Sequence, residues 1–328
     1  MMNQTFDDKS FKLPKFLKTT LAAIPLSLLA LHALEVRADE LPRWDTAITK
    51  YNEKQVRNFH PVFDFDSDGC YPATPFDRNA NLRQNPGRNA TASLSGNCQY
   101  SHWGVYANTI HRQLCKATDE GGNKVERCAH FYELYFEKDQ AVGLTFLGGH
   151  RHDVETVIVW TGKINGQGDF ISHTSVSAHG KFTTKRLNEI LNQSGHPMVV
   201  YHKDGAGTHA FRFANAQDKA HVEFLGNWGE FYAPDIISHY SALPSWDNDE
   251  WTRYQANRNY RLTLEGSNFG SASFKTRNDG EILNNANSAI PRNDPFWQNF
   301  SFSYDDVWAT RAQEFQANYP QNYQQIRE

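Results

Sequence analysis

After residue 38 the chain contains no Lys/Arg-rich run, and the whole sequence is mildly acidic, with a formal net charge of −4. A phosphate backbone is met by a basic face, so nucleic acid is excluded as the expected partner. Nor does any segment beyond residue 38 stay apolar for the ~20 residues that a membrane-spanning helix needs. HExxH and GxSxG are both missing, which removes the helical zinc-hydrolase motif and the nucleophile elbow. CxxC is missing too, so Cys70, Cys98, Cys115 and Cys128 do not read as a thiolate zinc site. Methionine is scarce, at three residues, while aromatics make up 13%. That balance suits a rigid β-rich body with Tyr and Trp free for an amphipathic binding surface. No internal repeat and no low-complexity linker breaks the chain, so one decorated β domain is the simplest account.

What is present begins with a leader. Lys9, Lys12, Lys15 and Lys18 precede the apolar stretch TLAAIPLSLLALHAL, and Val36-Arg37-Ala38 places small residues at the two positions a signal peptidase reads. Residues 1–38 are therefore read as a signal peptide and residues 39–328 as the secreted domain. Cleavage removes five positive and three negative side chains, leaving the exported chain at −6. In an oxidising compartment four cysteines favour two disulfides, and pairing Cys70–Cys98 and Cys115–Cys128 closes the shortest loops. Three connectivities remain open on spacing alone.

Residues 41–59 carry Trp44, Ala47, Ile48, Tyr51 and Phe59 at near-helical spacing and predict a docking helix. Residues 61–129 are loop-rich. Beyond them HFYELYFE, VGLTFLG, ETVIVW, DFISHTSVSA, HPMVVYH, HAFRFAN and YRLTLE alternate as strands separated by Gly, Asn or Asp, which suggests a sandwich or barrel. A helix is expected over TTKRLNEILNQSG, with Leu187, Ile190 and Leu191 inward and Gly195 as its stop. A second is expected at DDVWATRAQEFQANY, ended by Pro320.

The densest chemistry lies in GGHRHDVETVIVW. Strand alternation points Asp153 and Glu155 one way and Val154 and Thr156 the other, so two carboxylates share a face. Like charges held that close raise a pKa or recruit a cation. Asp139, in YFEKDQ, reaches the same place if the two strands are antiparallel neighbours. Oxygen ligands with one imidazole suit Mg²⁺, Ca²⁺ or Mn²⁺. His150-x-His152 also resembles the paired imidazoles of zinc hydrolases, although the acid follows the second His directly and no further His comes after it. On the residues alone a metal site, a catalytic site and a polar turn all stay open. DFDSDG offers a second calcium loop through Asp64, Asp66 and Asp68, with Pro75 standing where an EF-hand needs its glutamate. His202 and Asp204 in YHKDG read better as a turn than as an acid/base pair.

GHRHDVE matches, in six of seven positions, the GHRHDWE heptapeptide of the necrosis- and ethylene-inducing-like proteins, a family of secreted cytolysins. HFYELYFEKD, SVSAHG, VVYHKDGAGTHAFRFAN and SNFGSASFK sit in that family's order, and DFDSDGCYP with four cysteines resembles its four-cysteine branch. The resemblance implies a single-domain central β-sandwich, mainly β with flanking helices, similar to actinoporins and fungal lectins. It implies a toxin rather than an enzyme: a protein that binds the sugar head of glycosylinositol phosphorylceramides in plant plasma membranes through a divalent ion and then permeabilises them. Carried over by motif, Asp139 and Asp153 match the direct ligands of that ion, and His150 and Glu155 its surroundings. His209 falls near the same cavity, and Asp77, Asn81 and His179 align with the sugar pocket. Two departures stand out: Val154 replaces the heptapeptide's tryptophan, and Gly205 stands where some members carry an exposed tryptophan. A secreted metal-dependent hydrolase and a non-toxic lectin or adhesin of the same fold are the alternatives.

Overall fold

The computed structural model describes residues 43–322, except 46, 79–81, 91–92, 95, 101–102, 141, 144–148, 206–207, 220–230 and 242–248. The expected leader, Asn81 and most of VGLTFLG lie outside the described residues. In chain order the elements are α1 (Glu53–Phe59), β1 (Val62–Phe65), β2 (Asn108–Glu120), β3 (Asn123–Asp139), β4 (His150–Ile164), β5 (Phe170–Ala178), β6 (Lys181–Arg186), β7 (Asn192–Gln193), β8 (His196–Asp204), β9 (Thr208–Phe213), α2 (Ala216–Lys219), β10 (Asp235–Ser238), α3 (Glu250–Gly266), α4 (Asp279–Ala289) and α5 (Tyr304–Asn318).

Two sheets pack face to face. The larger has six strands in the order β10-β2-β3-β4-β5-β6, and the smaller runs β1-β8-β7 with β9 also paired to β8. Period-2 alternation decides what each face buries. Tyr132, Leu134 and Phe136 of β3, with Val157 and Val159 of β4, point inward against Phe63, Phe65, Val199, Tyr201 and Phe211 of the smaller sheet. The opposite face of the large sheet is apolar as well, because helices cover it. Leu114, Phe131, Ile158 and Trp160 pack under α4 and the segment around Trp297, while Ile110, Tyr135 and Val154 pack under α3 and Phe269. Burial on both sides explains why β3 and β4 read as nearly continuous strands rather than half-polar ones. The β-sandwich with flanking helices expected from the sequence is the fold observed.

Both disulfides join the expected cysteines: Cys70 to Cys98 and Cys115 to Cys128. The second spans directly opposed residues of β2 and β3.

Three local expectations are corrected. TTKRLNEILNQSG is not a helix: Lys181–Arg186 adds β6 to the edge of β5, a single 3-10 turn follows at Leu187–Glu189, and β7 starts a hairpin into β8. The β-branched pair Thr183–Thr184 favours the strand, and Thr184 Oγ1 lies 2.7 Å from Ser175 Oγ on β5. Ser194 and Gly195, both at positive φ (53° and 91°), form the two-residue turn that such a hairpin requires. YRLTLE belongs to α3, not to a strand. Asp249 caps that helix by accepting from the Thr252 N–H at 2.8 Å, and Tyr254, Asn257, Tyr260 and Leu264 are buried at helical spacing. Among the described residues of 41–59, only Glu53–Phe59 is helical, and Ala47 instead pairs with Ile237 beside β10.

Candidate metal centre between the two sheets

β3 ends and β4 begins at one end of the two central strands of the large sheet, where Asp139 stands directly opposite His150 and Phe136 opposite Asp153. An unbroken pleat would put residues three apart on opposite faces. Here Asp139, His150 and Asp153 nevertheless converge, each offering one ligand atom within 4.8 Å of the others. The break coincides with His152, whose backbone is left-handed at φ 63°. Its ring turns to the helix-covered side, where the Tyr135 hydroxyl meets Nδ1 at 2.8 Å. Gly149 makes the entry possible: at φ 98°, a Cβ on it would stand 2.5 Å from the Asp139 carbonyl oxygen.

Each member of the cluster is oriented by a neighbour. His150 Nδ1 donates to the His152 carbonyl at 2.6 Å, so in the neutral ring Nε2 carries the lone pair, and Nε2 lies 3.8 Å from Asp139 Oδ2. Asp153 accepts from the Val154 N–H at 2.9 Å and, from the smaller sheet, from the Tyr201 hydroxyl at 2.8 Å. Asp139 Oδ1 accepts twice from His209 on β9, through the backbone N–H and through Nδ1, both at 2.8 Å. His209 Nε2 reaches Asp68 at 3.4 Å, and Tyr201 stacks on the His209 ring and on Phe136, with centroids 5.1 and 3.8 Å apart.

The electrostatics follow from this crowding. Burial and the facing Asp139 push Asp153 up to about 7, although the Tyr201 hydroxyl opposes them. Glu155, buried and beside Asp153, is pushed well above the ordinary carboxyl range and hydrogen-bonds Ser177. Burial pulls His209 down, but its bonds to Asp139 and Asp68 win and hold it up at about 9, as an imidazolium bridging two acids. Buried acids outnumber the compensating cations. A divalent cation among Asp139, His150 and Asp153 would let Asp153 ionise at neutral pH, and two carboxylates with one imidazole fit a hard or intermediate ion.

The expected residues are placed as follows. Asp139, Asp153 and His150 come together, Glu155 lies behind Asp153, and His209 anchors Asp139. Asp64, Asp66 and Asp68, expected as a second calcium loop, are not brought together as three ligands among the described residues. Asp64 lies on the β1 face opposite Phe63 and Phe65, which point into the core, and accepts from the Phe65 N–H; Asp66 follows the strand, and Asp68 turns to His209. His179 is exposed at the end of β5, with Nε2 3.0 Å from Asp204 and Nδ1 3.1 Å from Thr208 Oγ1, one residue before His209. Asp204 is thereby turned to His179. Asp77 is buried in the loop between Cys70 and Cys98, where its N–H donates to the Arg83 carbonyl at 3.0 Å. Tyr201 was legible only as a strand residue in HPMVVYH, and Asp68 only as a candidate ligand of the separate calcium loop. Neither carried a signal for the site.

A family model described as necrosis inducing protein (NPP1) matches residues 53–289. The necrosis-inducing protein NPP1 of Phytophthora nicotianae is 32% identical over 168 residues, covering 50% of this chain and 63% of the relative. The chain thus matches a little under two thirds of that relative's length. Among solved structures, NLPPya in complex with mannosamine superposes with a TM-score of 0.54 at 18% identity, over 78% of this chain and 98% of its own. NLPPya in complex with glucosamine gives 0.53 at 18%, over 78% and 98%. The non-toxic HaNLP3 protein gives 0.53 at 21%, over 76% and 97%. These likenesses establish a common fold.

Proposed function

The chain belongs to the necrosis inducing protein (NPP1) family, and on that premise we propose that it is a secreted cytolysin-like toxin that binds the glycan head of a membrane sphingolipid, glycosylinositol phosphorylceramide, and damages the membrane. The observation that carries this reading is the convergence of Asp139, His150 and Asp153 at the ends of the central strands β3 and β4. Bound there, a divalent cation, Mg²⁺ or Ca²⁺ before Mn²⁺, would present fixed positive charge to hydroxyl and phosphate oxygens of the head group. Asp139 and Asp153 supply the anionic ligands. His150 offers Nε2, and Glu155 is close enough to tune the charge behind them. His209 and Tyr201 hold the two aspartates from the opposite sheet. Mannosamine and glucosamine, bound by the similarly folded NLPPya, support a sugar as the recognised group. His179 beside Thr208 and Asp77 in the Cys70–Cys98 loop are the residues of this chain assigned to the sugar, with Asn81.

Export through cleavage after Ala38 is part of the same proposal, and N-terminal sequencing of the exported protein tests it. The toxin reading is tested by dye release from vesicles with and without glycosylinositol phosphorylceramide, using protein stripped by chelator and then reloaded. Leakage that needs both lipid and cation is expected. Leakage indifferent to either one counts against the proposal. Gly205 and Val154, together with the fold shared with the non-toxic HaNLP3 protein, favour a second reading as a glycan-binding lectin. Cation-dependent vesicle binding without dye release would select it.

A further inference from the structure

The face of the large sheet turned away from the sandwich interior carries a second polar feature. α3, α5 and the N-terminus of α4 enclose a cavity of about 430 Å³ with five arginines in its wall: Arg112, Arg258, Arg261, Arg277 and Arg311. Among the described residues, two carboxylates, Glu265 and Asp279, line it with them. Asp279 is already shared, paired with Arg112 and, at 3.5 Å, with Arg311. Arg277 pairs with Glu281 at 3.2 Å. No carboxylate among the described residues lies within ion-pair distance of Arg258 or Arg261. Nε of Arg277 and Nε of Arg311 are buried with no hydrogen-bond partner among the described residues. Glu314, below the cavity, adds little compensation, because burial pushes its carboxyl up to about 8 in spite of Arg112 and Arg261.

Guanidinium groups gathered this way repel one another and cost desolvation unless an anion meets them. Aromatic faces position them without neutralising them. Arg261 lies 4.7 Å from the Tyr240 ring centroid and 5.3 Å from that of Phe315, and Arg311 lies 4.9 Å from that of Trp308. Stacking of this kind occupies the planes of the guanidiniums and leaves their N–H edges for a ligand. The N-terminus of α4 lies at the same wall, where Asn278 caps it by accepting from the Glu281 N–H at 2.9 Å, so the wall there is already partly satisfied. The volume lies within the range of small-ligand pockets, about 300–1,000 Å³. We propose that this cavity is an oxyanion site, in which Arg258, Arg261 and Arg311 take a phosphoryl or sulfuryl group through bidentate guanidinium contacts. The group's carrier is either a dissolved molecule or a lipid head, the latter because Leu262 and Trp308 are exposed beside the cavity, at 49% and 51%.

Calorimetric titration of the full secreted protein with inorganic pyrophosphate tests the dissolved source. Flotation with phosphatidylcholine vesicles, with and without phosphatidic acid, tests the lipid source. Arg258 is exposed, so Arg258→Glu keeps the fold, and Arg311→Gln provides an independent second variant. Each is expected to weaken binding about tenfold or more, whereas Asp139→Asn leaves it unchanged. Pyrophosphate binding lost in the variants identifies a dissolved oxyanion as the ligand; phosphatidic-acid binding alone, lost in the same variants, identifies a lipid head. Binding absent in both arms, or insensitive to Arg258→Glu and Arg311→Gln, overturns the proposal.

Discussion

Tyr201 on β8 donates its hydroxyl to Asp153 on β4 across the gap between the sheets, at 2.8 Å. His209 on β9 makes the matching link to Asp139 on β3. The candidate cation ligands all come from the larger sheet, and the two aspartates among them are also held from the smaller one. Packing of the sandwich and geometry of the site are therefore one problem: whatever shifts the two sheets also shifts Asp139 against Asp153.

Tyr201→Phe isolates the first link. The ring stays stacked between Phe136 and His209, so the core is expected to survive, while Asp153 loses the hydroxyl that steadies it from the opposite sheet. Loss of such an outer contact typically costs about 10–100-fold in metal affinity. Calorimetry with Ca²⁺ or Mn²⁺ should show that loss with a thermal midpoint close to that of the parent. Unchanged affinity would show that Tyr201 is a packing residue only.

Val154 poses a different question, because the family heptapeptide carries tryptophan at that position. Here the side chain is buried on the helix-covered face, in the same apolar cluster as Tyr135, Tyr260, Leu264 and Phe269. It faces away from Asp153, as strand alternation predicts. Restoring the family residue with Val154→Trp overfills a closed cluster and is expected to destabilise the fold by about 1–3 kcal/mol. Cation affinity should not improve. Urea unfolding and a metal titration on the same variant check both halves.

Much of the fold was legible because the β-branched and aromatic runs of β3, β4, β5, β8 and β9 are bounded by turn residues. The shared face of Asp153 and Glu155 followed from the two-residue repeat of a strand. The meeting of His150 with Asp153 did not, because it depends on a left-handed histidine, and no residue type at position 152 announces a positive φ. α3 stayed hidden for another reason: it buries Asn257 among Tyr254, Tyr260 and Leu264 and is largely polar elsewhere, so the local alternation in YRLTLE outweighed a weak helical stripe. TTKRLNEILNQSG misled in the opposite direction. Its Leu187 and Leu191 have helical spacing, yet both remain only half-buried once Thr183 and Thr184 extend β6.

The two disulfides should differ in consequence more than in energy. Chain-entropy arguments give about 3 kcal/mol for a loop of 13 residues and about 3.5 for one of 28. Cys115 and Cys128 join strands already paired on both sides of them. Cys70 lies two residues from Asp68 and anchors the loop that brings Asp68 to His209. Replacing Cys70 and Cys98 with Ala is therefore expected to weaken cation binding as well as stability. Replacing Cys115 and Cys128 should lower stability alone. Equal effects on binding would show that the loop is held by its other contacts, among them the Arg88–Glu137 pair at 2.6 Å.

Glu314 gives a pH dependence that can be measured away from the cation site. Burial holds its carboxyl neutral up to about 8, against an ordinary value of 4.5. Between those values the unfolded chain readily gives up the proton and the folded protein does not. Stability therefore falls as pH rises from about 4.5 towards 8, and this contribution is flat below and above that window. Glu314→Gln preserves the shape and removes the ionisation, so the variant should lack this part of the slope. Relative to the parent it should gain on the order of 3 kcal/mol between pH 5 and pH 8.5. Urea unfolding at the two pH values measures the difference directly. Parallel curves for variant and parent would mean that Arg112, Arg261 and Arg311 keep Glu314 ionised in the folded protein, and the excess positive charge of the arginine cavity would then be one unit smaller.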